Sequence, residues 1–153
     1  MKKHIVLILV IFAVNSIITA QEVNAEDMRD LYDGFHTVYW QNGSKYFGDI
    51  YGGEMGGSGT MIWSDSSFYE GKWHHGLRHG KGYMKWVSGR EYEGRWKDDQ
   101  PNGKGQMKWP DGQMYKGDFK NGKMDGKGRI KYPDGQIFKG EFKSNCAVEA
   151  PPS

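Results

Sequence analysis

From residue 34 to residue 143 the chain repeats one pattern: a short run alternating aromatic and polar residues, a few turn formers, then a second alternating run. Residues 92–114, "YEGRWKDDQPNGKGQMKWPDGQM", show it plainly. In "YEGRW", Tyr92, Gly94 and Trp96 fall on one face, and Glu93 and Arg95 on the other. In "GQMKW", Gly105, Met107 and Trp109 share a face opposite Gln106 and Lys108. A period of two, bounded by turn residues, predicts a β-hairpin with one aromatic and one polar face. "WPDGQ" and "YPDGQ" predict tight connections: Pro110 and Pro133 preset φ, and Asp111-Gly112 and Asp134-Gly135 complete the turns.

The pattern keeps a strict clock of 23 residues. One column runs Tyr46, Tyr69, Tyr92, Tyr115 and Phe138; a second runs Ile50, Trp73, Trp96, Phe119 and Phe142; a third runs Trp40, Trp63, Trp86, Trp109 and Tyr132. Glycines follow the same period, and all 23 lie between residues 34 and 140. That density excludes helices. A glycine between two aromatics on one face leaves a hole for a ring from a neighbouring strand, despite its entropic cost. One hairpin is unstable alone, but stacked hairpins bury each other's aromatic faces. The predicted fold is therefore all-β, an elongated single-layer antiparallel sheet of stacked β-hairpin repeats. Its units are a half unit at 34–45, full units at 46–68, 69–91, 92–114 and 115–137, and a half unit at 138–143, giving ten strands.

Outside the array the chain opens with "MKKHIVLILVIFAVNSIITAQEVNAED". Lys2 and Lys3, an apolar run from Ile5 to Val14, and small residues at Ala20 and Ala25 follow the order of a secretory signal peptide. The expected layout is a signal over 1–25 cleaved after Ala20 or Ala25, a linker over 26–33 and a flexible tail over 144–153. Export follows, to a secreted, periplasmic or cell-surface location. Retention of the N-terminal segment as a tether is the alternative.

From residue 26 onward 19 Lys and Arg face 18 Asp and Glu, which argues against a nucleic-acid binder. Residues 26–80 hold 4 basic and 8 acidic side chains, whereas residues 81–143 hold 15 and 9, so any anionic partner belongs to the second half. Cys146 is the only cysteine, so no intrachain disulfide is available.

Three histidines, His74, His75 and His79, crowd the stretch "WHHGLRHG". The repeat places them in a loop, with His79 as its turn residue, and the remaining histidine of the array, His36, is two units away. No metal site is expected. The carboxylates alternate with cations along the polar face, as Glu93 does with Arg95 and Asp118 with Lys116, which describes a solvated surface rather than an acid/base pair. No enzyme activity and no cofactor are expected.

The sequence "YEGKW…GLRHGKGYMKW" and its register across residues 34–143 strongly resemble the MORN (membrane occupation and recognition nexus) repeat family. The resemblance implies a single-layer hairpin sheet acting as an interaction module. Only about eighteen residues, 26–33 and 144–153, lie outside the signal and the array, so the catalytic domains that accompany such repeats elsewhere are not expected here. The first repeat is irregular, with Ile50 at a tryptophan position and Ser66 at a turn glycine; the third has Asp99 where Gly76 and Gly122 sit.

Two surfaces are candidates. An aromatic groove of Tyr69, Trp73, Trp86, Tyr92, Trp96, Trp109, Tyr115 and Phe119, with Met84 and Met107 as adaptable packing, suits a protein segment. Rows of Lys85, Lys108 and Lys131 and of Lys81, Lys104 and Lys127 suit an anionic lipid membrane. Cell-wall glycan held against aromatic rings is a third partner class.

Overall fold

The computed structural model describes residues 7–9, 20–22 and 27–148, with side chains over 28–148. The expected signal peptide and its cleavage points lie largely outside these residues; within it, Leu7–Leu9 (β1) and Ala20–Glu22 (β2) form a short antiparallel pair. The chain divides into two compact units, residues 1–77 and 78–153.

In the first unit a 3-10 turn, Asp27–Asp30, precedes β3 (Gly34–Tyr39), β4 (Lys45–Tyr51), β5 (Glu54–Ile62) and β6 (Phe68–His74). The second carries β7 (Leu77–Lys85), β8 (Glu91–Lys97), β9 (Gln100–Lys108), β10 (Met114–Lys120), β11 (Lys123–Lys131), β12 (Ile137–Lys143) and β13 (Cys146–Val148). In each unit the strands β3–β6 and β7–β13 form one antiparallel layer in sequence order. The repeats are all-β, as the alternation predicts.

Two kinds of turn alternate. Each repeat's inner turn is a left-handed pair: Gly52-Gly53, His75-Gly76, Asp98-Asp99, Asn121-Gly122 and Ser144-Asn145 all have φ between 46° and 79°. Two successive positive φ values give the hairpin geometry that matches strand twist. The second residue of most pairs also reaches back to the preceding hairpin. Gly76, Asp99, Gly122 and Asn145 donate their backbone N–H to the carbonyls of Met55, Arg78, Pro101 and Met124, at 2.9–3.1 Å. Asp99 and Asn145 add side chains to this clamp: the Asn145 Oδ1 accepts from the Met124 N–H, and the Asp99 Oδ1 from both the Arg78 N–H and Nε–H. The outer turn starts at the third aromatic column. Trp86, Trp109 and Tyr132 donate their N–H to Arg90, Gln113 and Gln136, while Gly89, Gly112 and Gly135 close the turn back onto them. Asp111 and Asp134 accept from the Gln113 and Gln136 N–H, the local side-chain bond that favours Asp here.

The core is built from facing glycines. Gly48 faces Gly59, Gly94 faces Gly105 and Gly117 faces Gly128 on adjacent strands. Tyr46, Tyr92 and Tyr115 lay their rings over these gaps and are wholly buried. A Cβ on Gly105 would meet Tyr92 ring atoms at 2.7 Å. Past each glycine pair the register jumps: Trp96 faces Pro101 and Phe119 faces Met124, so four residues of the later strand span two of the earlier one. Such a bulge twists the ladder locally.

Two expectations are corrected, and one histidine takes an unforeseen place. The array has eleven strands, because Ser144-Asn145 repeats the left-handed turn and carries Cys146–Val148 into the sheet beside β12, where a flexible tail was expected. His79 lies within β7, not in a turn; His75, with φ 48°, takes the turn position. His36 is 1% exposed and its Nε2–H meets the Tyr32 carbonyl at 2.8 Å. It stands one period before Gly59, on the first strand of the array, where an imidazole rather than a glycine fills the space beside Tyr32.

The third repeat's departure at Asp99 has a measurable consequence. Asp99→Ala keeps the strained left-handed backbone and loses the Arg78 hydrogen bonds, so it lowers urea-unfolding stability by about 2–3 kcal/mol. Asp99→Gly relieves the strain and costs about 1 kcal/mol less.

Candidate functional site

The aromatic side chains divide into two populations. Tyr46, Tyr69, Tyr92 and Tyr115 each donate the phenol O–H to the carbonyl three residues on, at Asp49, Lys72, Arg95 and Asp118, at 2.8–2.9 Å. The second column stands edge-on between them. Phe119 lies 5.1 Å from Tyr115 and 5.0 Å from Tyr92, and Phe142 lies 4.9 Å from Tyr115 and 5.7 Å from Phe138. In the first unit Trp73 bridges Tyr69 at 5.0 Å and Tyr46 at 5.7 Å. Each edge-to-face pair adds about 0.5–1.5 kcal/mol beyond its buried area.

This corrects the groove. Tyr69, Trp73, Tyr92, Trp96, Tyr115 and Phe119 are at most 5% exposed and are core. Met84 and Met107 are buried with them. The tyrosine rings lie against glycine backbone and the second-column rings stand edge-on between them, so one layer covers its own aromatic face. Of the eight expected groove residues, Trp86 and Trp109 alone stay half-exposed.

Those two belong to the third column, at the mouth of the outer turns. In the second unit the column continues to Tyr132, which is 38% exposed. The Arg90 guanidinium lies over the Trp86 ring at 4.2 Å, and Pro110 packs 3.4 Å from where a Gly89 Cβ would be. Successive members are two strands apart, a spacing of about 10 Å. Tyr132 and Arg90 were absent from the expected site. Their signal was the column position of Tyr132 and the offset of four between Trp86 and Arg90, which only the turn geometry brings together.

The lysines are exposed but unequally free. Lys85 and Lys108 share Glu91, at 3.6 and 4.0 Å, and Lys104 reaches Asp118 at 4.0 Å. Lys127 faces Glu141, and Lys131 faces Ile137. Lys81 faces Arg95 directly. The histidines pair with acids: His75 with Glu54 at 2.9 Å and His79 with Asp98 at 3.5 Å. Among the described residues no group of three His, Cys, Asp or Glu side chains is placed to hold a metal ion. Cys146 is an exposed thiol.

A repeated hairpin sheet with a buried tyrosine latch and a rim of half-exposed tryptophans defines a class of repeat-built interaction modules. The MORN repeat model matches residues 46–68, 69–89, 92–114 and 115–137, more than half of the chain, and the protein belongs to the MORN repeat family. No curated protein matches. Among solved structures, the TCP domain of SAS-4 (dCPAP) of Drosophila melanogaster, in complex with a proline-rich motif of Ana2 (dSTIL), is similar at 16% identity and a TM-score of 0.46. The match covers 71% of this chain and 59% of that one, so this chain spans less than two thirds of that domain.

Burial pushes the Tyr115 phenol up to about 12, with Asp118 adding to it, and raises Tyr46 further beside Asp49. An unfolded phenol ionises near 10. The stability these groups confer is therefore full below pH 10 and is lost as pH rises toward 12, because only the unfolded chain gives up the proton. Tyr115→Phe, the residue already found at Phe138, lowers neutral-pH stability by about 1 kcal/mol. It also makes the loss between pH 10 and 12 shallower in thermal unfolding than in the unsubstituted protein.

Proposed function

We propose that the protein is an exported, non-catalytic MORN-repeat module that holds an extended protein segment across its tryptophan rim. It rests on one observation: Trp86, Trp109 and Tyr132 stay half-exposed at equivalent turns while the rings of the other two columns, apart from Phe138, are buried. Their spacing of about 10 Å is the length of about three residues of extended chain, so one bound segment can reach successive rings. Indole rings held at their base by turn hydrogen bonds lose little entropy on binding and serve as anchors. Arg90, already stacked on Trp86, adds donors at the rim. Export rests on the Lys2-Lys3, apolar and small-residue order of the first 25 residues.

Capture from the exported fraction of the native source, with bound segments identified by cross-linking, tests the rim. Trp86→Ala with Trp109→Ala is expected to weaken the identified complex at least about 30-fold, while Lys127→Gln leaves it intact. Equal capture by the double variant would remove the proposal. N-terminal sequencing of the native protein is expected to begin at Gln21 or Glu26; a chain still starting at Met1 would contradict cleavage.

A further inference from the structure

We propose that a pocket on β7–β9 of the second unit binds a compact dianion, the phosphate monoester of a soluble ligand. The pocket, of about 280 Å³, is lined by His79, Lys81, Arg95, Trp96, Lys97 and Asn102. It is separate from the tryptophan rim and independent of the function proposed there.

Charge placement carries it. Lys81 and Arg95 stand directly opposite each other on adjacent strands, an arrangement of like charges that weakens a sheet. Several other cations in this unit meet acids: Arg78 with Asp99, Lys85 and Lys108 with Glu91, Lys104 with Asp118, and Lys143 with Asp125; Arg129 and Lys139 face each other as Lys81 and Arg95 do, but they do not line the pocket. Among the described residues no carboxylate pairs with Lys81, Arg95 or Lys97. Asp98, the acid beside Lys97, lies 3.5 Å from His79 and forms no ion pair with Lys97. Three uncompensated cations thus converge on one cavity.

The backbone shapes that cavity. Gly103, with φ 94° in the β9 bulge, would place a Cβ 3.3 Å from the Arg95 Cδ; lacking one, it lets the arginine stem lie across the strand. The Asn102 Nδ2 has only a 3.4 Å bond to Asn121 and is available as a further donor. A guanidinium fork, two ammonium groups and an amide match the three oxygens of a phosphate monoester. A membrane plane calls for positive charge spread over a flat surface, whereas here a cavity gathers three cations around one small volume, and Glu91 and Asp118 neutralise Lys85, Lys108 and Lys104 on the same sheet.

Calorimetric titration of the mature protein with glycerol 3-phosphate tests this. Saturable one-to-one binding that weakens with added salt is expected. Lys81→Gln with Arg95→Gln should weaken it about tenfold or more, and Arg95→Lys, which keeps the charge but loses the fork, should weaken it severalfold. The control is Arg129→Gln with Lys139→Gln, an equal charge change at a second run of facing cations outside the pocket, and it should bind normally. Thermal unfolding establishes that each variant is folded. Absence of saturable binding, binding unchanged in the pocket variant, or equal loss in the control would overturn the proposal. So would binding to vesicles carrying phosphatidic acid without binding to glycerol 3-phosphate, which would place the phosphate source in a lipid.

Discussion

The structure depends on a tyrosine ring lying in the gap between two glycines that face each other across neighbouring strands. Where Gly94 meets Gly105, neither strand has a side chain, so the Tyr92 ring rests on backbone and its hydroxyl reaches the Arg95 carbonyl. The ring is lost to solvent entirely, and with it the freedom of the sheet to slip by one residue, since a slip would move every ring off its gap. The aromatic of the second column then wedges edge-on between successive tyrosines, as Phe119 does between Tyr92 and Tyr115, and couples one repeat to the next. A single layer without a second sheet is stable because this row of rings serves as its core.

That economy decides where function can reside. Rings committed to the glycine gaps have no face left for a partner, so of the repeating aromatic columns in the second unit the turn-mouth one, Trp86, Trp109 and Tyr132, offers the accessible row. The opposite face is charged and mostly self-neutralising, as the sharing of Glu91 by Lys85 and Lys108 shows. The unpaired group of Lys81, Arg95 and Lys97 departs from that balance, as do the facing Arg129 and Lys139, but only the former lines the pocket. Rim and pocket occupy different parts of the repeat, one at the outer turns and one beside the bulge.

Much of the fold was legible because its period is written in residue types that have one physical use. Glycine marks the gaps, Pro-Asp-Gly the outer turns and alternation the strands. Burial was less legible: alternation says which face Tyr92 and Trp96 occupy, but not that the tyrosine ring settles over a glycine gap and the tryptophan stands edge-on against it, so that the two bury each other. The eleventh strand carried a readable signal, since Asn145 falls where Gly76 and Gly122 stand and asparagine tolerates left-handed φ. His79 misled because the turn was counted too long; a two-residue turn at His75-Gly76 leaves it in β7. The pairing of Lys81 with Arg95 follows from strand register, which no short window of sequence contains.

The glycine gap as organising element is tested most directly by a double-mutant cycle between Tyr92 and Gly105 in urea unfolding. Gly105→Ala alone should destabilise by about 3 kcal/mol, because the nearest atoms to its new methyl group belong to the Tyr92 ring. In a Tyr92→Ala background, where that ring is gone, the same substitution should cost nearly nothing, giving a coupling close to the full single-mutant effect. An equal cost of Gly105→Ala in both backgrounds would contradict the account, since the glycine would then serve the backbone and not the ring.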